Sequence, residues 1–116
     1  MAIAVTSPAS KVGFIKNATS ADASGCEEII AATPGKQIKI RHLTINNGAN
    51  ALSHTIGEGE TTGAVTTALI GPVAMAANTS IQWDFYPPLE LTAGTALVID
   101  SSGAGAVCVF AQGYVE

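Results

Sequence analysis

At 116 residues, with 47% hydrophobic and 12% charged side chains and a net charge of −4, the chain has the size of one domain that buries a core without metals or cross-links. The charged fraction is about half the roughly 25% usual in soluble domains. That shortfall points to a surface partly covered by other protein, with abundant Ser, Thr, Asn and Gly as the other source of polarity. All five basic residues (Lys11, Lys16, Lys36, Lys39, Arg41) lie within 1–41, while six carboxylates follow from His42 onward. Phosphate neutralisation needs clustered cations, so direct DNA or RNA binding is excluded over most of the surface.

In chain order, Met1 to Ser10 reads as a strand or an extended arm. Its opening Met1-Ala2-Ile3-Ala4-Val5 lacks the positive region and sustained apolar core of a signal peptide. No segment approaches the roughly 18 apolar residues of a membrane span, so a reducing cytosol is the expected setting. Val12–Ile15 is a short strand, and Asn17 to Gly25 a small, polar loop. Ser24 and Glu27 have capping-box spacing, but Thr33-Pro34-Gly35 follows too soon for a helix. Cys26–Ala32 is therefore expected to be a strand entering a hairpin.

Gln37–Ile45 is the clearest strand. Ile38 and Ile40 share one parity, Leu43 and Ile45 the other, so either the inward face switches or protein covers both faces. Asn46-Asn47-Gly48-Ala49-Asn50 is a turn rich in residues that tolerate positive φ, and Leu52–Ile56 is expected to return antiparallel to the preceding strand. Gly57 to Thr67 reads as an exposed loop. Ala68–Val73, Ser80–Phe85, Ala96–Asp100 and Val107–Val115 are further strands, with Tyr86-Pro87-Pro88 an extended stretch at an edge or corner that Leu89 and Leu91 continue. Strands and turns recurring about every ten residues predict a single all-β domain over 1–116, a sandwich or small barrel with little or no helix.

Several constellations bear on chemistry. A hairpin about Gly48 would place His42 opposite His54, two imidazoles where a stable metal site needs three or four ligands. A structural pair is the expectation. No serine sits in a Gly-x-Ser-x-Gly elbow, and Cys26 and Cys108 neighbour apolar residues and are expected to be buried free thiols. Glu58 and Glu60 share a parity, but in a Gly-rich segment they read as solvated carboxylates. Gly57 to Gly63 lacks the Gly-Lys-Ser/Thr ending of a phosphate loop. Trp83 and Phe85 share a strand face and are expected in the core; Trp83 with Tyr86 is the competing sugar-platform reading. Neither an enzyme nor a cofactor is indicated.

From Lys39 onward the order of turns has a further implication. Ile-Lys-Ile-Arg-His-Leu-Thr-Ile with an Asn-Gly turn is followed by Leu69-Ile-Gly-Pro-Val and Ala77-Asn-Thr-Ser. Pro88-Leu-Glu-Leu-Thr-Ala-Gly-Thr-Ala-Leu-Val-Ile and a close from Ser101-Ser-Gly-Ala to Gly113-Tyr-Val complete it. This resembles small virion proteins of tailed bacteriophages, especially capsid decoration (cement) proteins, over about two-thirds of the chain. The resemblance implies an antiparallel β-sandwich or jelly-roll-like subunit, a homo-oligomer with a trimer favoured. It also implies the major capsid protein or other virion proteins as partners and a virion assembled in the host cytoplasm. A neck, tail or fibre accessory subunit and a carbohydrate- or cell-surface-binding module are the alternatives. For a shell subunit, Met1, Ala2, Ile3, Ala4 and Val5 are the segment expected to add a strand to a neighbour's sheet.

Overall fold

The computed structural model describes residues 11–20, 26–59 and 65–116. The expected arm, its partner-binding residues Met1 to Val5, and Glu60 lie outside them. Eight strands form: β1 (Val12–Ser20), β2 (Cys26–Ile30), β3 (Ile38–Asn47), β4 (Leu52–Gly59), β5 (Val65–Met75), β6 (Ser80–Glu90), β7 (Ala96–Ser101) and β8 (Val107–Val115). They make two four-stranded antiparallel sheets, ordered β1-β8-β3-β6 and β2-β7-β4-β5. Among the described residues there is no helix.

The strand order has a simple origin. The first four strands pair antiparallel with the last four in reverse, β1 with β8, β2 with β7, β3 with β6 and β4 with β5. Secondary pairings of β3 with β8 and β4 with β7 then complete each sheet. The chain is thus one long ribbon, doubled over at β4–β5 and wrapped so that its layers face each other. This is the eight-stranded jelly roll.

Wrapping explains two departures from the sequence-based expectations. The β2–β3 and β3–β4 links are crossovers between sheets, not hairpins. The Pro34-Gly35 turn closes as expected, with Lys36 N–H donating to Thr33 O at 3.0 Å, yet it delivers the chain to the opposite layer. At the other link, Gly48 N–H donates to Ala106 O at 2.9 Å and Asn78 N–H donates to Gly48 O at 2.7 Å. The residues after β3 therefore engage the β5–β6 and β7–β8 links rather than folding back. Periodicity reports which residues face inward but not which layer receives the next strand.

The switch of parity in β3 is a β-bulge. Opposite β8, Ile40 pairs with Gly113 and His42 with Gln112, leaving Arg41 as the extra residue. One inserted residue moves all later side chains to the other face. Ile38, Ile40, Leu43 and Ile45 consequently all point inward, each at most 1% exposed. Full burial of such a side chain is worth about 1.5–3 kcal/mol. From the facing sheet Ile29, Ile56, Leu97 and Ile99 meet them, with Trp83 and Phe85 packed against this core from β6.

Strand lengths also differ from expectation. β1 extends to Ser20, so Asn17 to Ser20 is strand rather than loop. β4 runs to Gly59 and β5 starts at Val65, so most described residues between Gly57 and Thr67 are ladder. Gly57, Glu58 and Gly59 are buried. A Cβ on Gly57 would fall 2.3 Å from Val65 Cγ1 and 2.4 Å from Thr67 O, so the missing side chain is what admits β5. The prolines sit where a missing N–H is tolerated: Pro72 on β5 and Pro87 and Pro88 on β6, all edge strands.

Candidate functional site

The outer face of the β1-β8-β3-β6 sheet carries most of the chemistry that strand registers bring together. One row across it reads Gly13, Tyr114, Lys39, Glu90, and the next Ile15, Gln112, His42, Asp84. The Tyr114 ring is the centre of a cationic cluster, with Lys11 Nζ 4.4 Å, Arg41 Cζ 5.4 Å and Lys39 Nζ 5.8 Å from its centroid. The Arg41 bulge is what puts two basic side chains of β3 within reach of one ring. Lys39 is further bound to Glu116 at 3.2 Å and Glu90 at 3.6 Å. The hydrogen bond to Glu116 raises the Lys39 pKa above its usual value. These exposed pairs set geometry more than stability.

In the adjoining row His42 Nδ1–H donates to Asp84 Oδ1 at 2.6 Å, and Nε2 stands 2.8 Å from Thr44 Oγ1. The imidazole edge rests on Phe110, 5.9 Å between centroids. The order carboxylate, imidazole, hydroxyl orients a proton acceptor toward an alcohol. Thr44 is paired on both sides, with Phe110 and Gln82, so it sits within two ladders. The arrangement ties the central strand β3 to the edge strand β6.

The second histidine belongs to a different site. His54 lies in the other sheet and is 0% exposed, so the expected face-to-face pair with His42 does not form. Its Nε2 is 2.9 Å from Asn47 Oδ1 and its Nδ1 2.8 Å from Ser101 Oγ. Asn47 Nδ2 donates to the carbonyls of Asn50 (2.9 Å), Ala76 (3.0 Å) and Met75 (3.4 Å). The tautomer follows: the amide oxygen can only accept, so Nε2 carries the proton and Ser101 O–H donates to Nδ1. Burial lowers the His54 pKa below its ordinary value. Asn47 from one sheet and His54 and Ser101 from the other thus form a satisfied polar bridge through the sandwich end. The sequence pattern marks Asn47 as a turn residue, and nothing in its spacing marks it for burial.

Glu58 also corrects its expected role. It is 7% exposed, and its carboxylate accepts from Thr92 N–H at 2.5 Å and Thr92 Oγ1–H at 2.6 Å. It therefore anchors the Thr92–Thr95 turn instead of facing solvent. Cys108, expected to be buried, is a half-exposed free thiol whose Sγ–H donates to Asn17 Oδ1 at 2.7 Å. It lies on the outer parity of β8, which an apolar sequence run does not reveal. Tyr86 is 95% exposed while Trp83 packs on the core, so the two do not share a platform.

Among the described residues, no three His, Cys, Asp or Glu side chains converge as metal ligands. Among the described residues, Ile15 (70%) and Val12 (62%) on β1 are, with Tyr86, the large apolar side chains most open to water. Set beside known proteins, the chain matches no family and no curated relative.

Proposed function

We propose that this chain is a non-enzymatic structural subunit of a bacteriophage particle, a decoration protein that binds the outer surface of the head as a homo-oligomer. The observation that carries this reading is the doubled-ribbon strand order, an architecture recurrent in viral capsid domains. Three further features support it. The outer face of the β1-β8-β3-β6 sheet bears apolar Ile15 beside the Tyr114 cluster. Charge is scarce for a free-standing surface. The virion resemblance lies in the order of turns from Lys39 onward. A shell gains strength from many modest contacts repeated by symmetry, and a sandwich presenting an uncovered sheet face suits that role.

The experiment is co-sedimentation of the purified chain with expanded phage heads and, separately, with tails. Stoichiometric binding to heads, with greater resistance of the heads to disruption, is expected. Binding to tails alone moves the subunit to the neck or tail, and binding only to a glycan array replaces the reading with a sugar-binding module, since lectin domains share the architecture.

A further inference from the structure

The sequence places Gly48 directly after Asn47, the one asparagine–glycine step in the chain. In an open chain such a step is chemically unstable, because glycine presents no side chain to hinder attack by its own amide nitrogen. The deprotonated Gly48 nitrogen attacks Asn47 Cγ, the Cγ–Nδ2 bond breaks, and ammonia leaves with the proton. The resulting five-membered succinimide takes up water at either carbonyl, giving aspartate or isoaspartate at position 47. The net change is –NH2 for –OH, with water the only co-reactant and no redox step.

The fold restrains every participant. Gly48 N–H donates to Ala106 O at 2.9 Å, and Asn47 N–H donates to Thr79 O at 2.8 Å. The Asn47 side chain is bound to three carbonyls through Nδ2 and to His54 through Oδ1. Asn47 is only 6% exposed. Rotation of the amide toward the Gly48 nitrogen would break these bonds together.

We propose that Asn47–Gly48 is a deamidation site whose reactivity the fold suppresses, so that opening of the sandwich end becomes irreversible once the reaction has run. Aspartate at 47 would offer acceptors only to the carbonyls of Asn50, Met75 and Ala76 and bring a charge into a buried site. Isoaspartate would add a methylene to the main chain at the end of β3. Neither product refits. A folded copy keeps its amide, and a copy that opens is withdrawn. This holds whether or not the chain decorates a particle.

The test incubates the full chain at mildly alkaline pH, folded and in concentrated urea, and follows each asparagine by site-resolved mass spectrometry with an enzymatic isoaspartate assay. In urea Asn47 is expected to convert ahead of Asn17, Asn46, Asn50 and Asn78. In the folded chain its conversion should be at least about 100-fold slower than in urea, because it needs an opening event. Converted chains should fail to regain native fluorescence after urea is removed, whereas unconverted chains from a brief exposure recover it. A Ser101→Ala variant, which removes one hydrogen bond to His54, should raise the folded-state rate. Equal rates folded and unfolded, no preference for Asn47 in urea, or full refolding of converted chains would each overturn the proposal.

Discussion

At the scale of single residues, His54 shows how burial and hydrogen bonding together decide a protonation state. Its neutral form is fully satisfied by Asn47 and Ser101, and burial lowers its pKa from the ordinary 6.5. A folded-state pKa below the unfolded value means that folding favours the neutral ring. That contribution is fully present above about pH 6.5 and is lost as pH falls through the depressed folded value. The slope from one such group is at most about 1.4 kcal/mol per pH unit. Urea midpoints should therefore fall on acidification below pH 6.5, more steeply for the native protein than for a His54→Gln variant. Parallel curves for the two would remove His54 as the cause. Asn47→Ala leaves the His54 Nε2–H and three carbonyls without this partner, and should cost about 1–3 kcal/mol in chemical denaturation. The residue types of this bridge were legible in the sequence, but the bridge was not, because its members come from three strands in two layers.

At the scale of elements, β3 and β8 depend on a bulge that is matched by a glycine. A Cβ on Gly113 would lie 2.0 Å from Lys39 O and 3.0 Å from Ile40 Cα, both main-chain atoms. Gly113→Ala must push β8 away from β3 beside the Arg41 bulge and should cost about 3 kcal/mol or more, read as a lowered urea midpoint. Gly35→Ala addresses another mechanism: nothing lies within 4 Å of its Cβ, and only the φ of +73° resists substitution. Its cost should be smaller, about 1 kcal/mol. The break of parity after Ile40 was visible in the sequence as two incompatible inward faces. The bulge itself was not, since the same pattern fits a strand buried on both sides. β7 is such a strand: Ala96, Leu97, Val98 and Ile99 are all at most 4% exposed, with Val65 over Ala96 and Val98.

At the scale of the whole molecule, the uncovered outer sheet face bears on association. Ile15→Glu lies at an exposed position, so its effect on unfolding free energy should stay within about 0.5 kcal/mol. If the chain is the proposed head-binding oligomer, the variant's solution mass by light scattering should fall to that of a monomer, and head binding should weaken with it. An unchanged mass would place the subunit contact elsewhere. The sequence by itself determined that the chain is all-β, where most strands lie, and that Ile38 and Ile40 differ in parity from Leu43 and Ile45. These follow from alternation, β-branched composition and turn residues, which act over a few neighbours. Only the tertiary structure decided that successive strands cross between sheets, that Glu58 is an anchor, and that His42 and His54 serve separate sites. Each of those depends on contacts between residues distant in the chain. A periodicity of two residues records which way a side chain faces, but carries no information about which strand lies opposite.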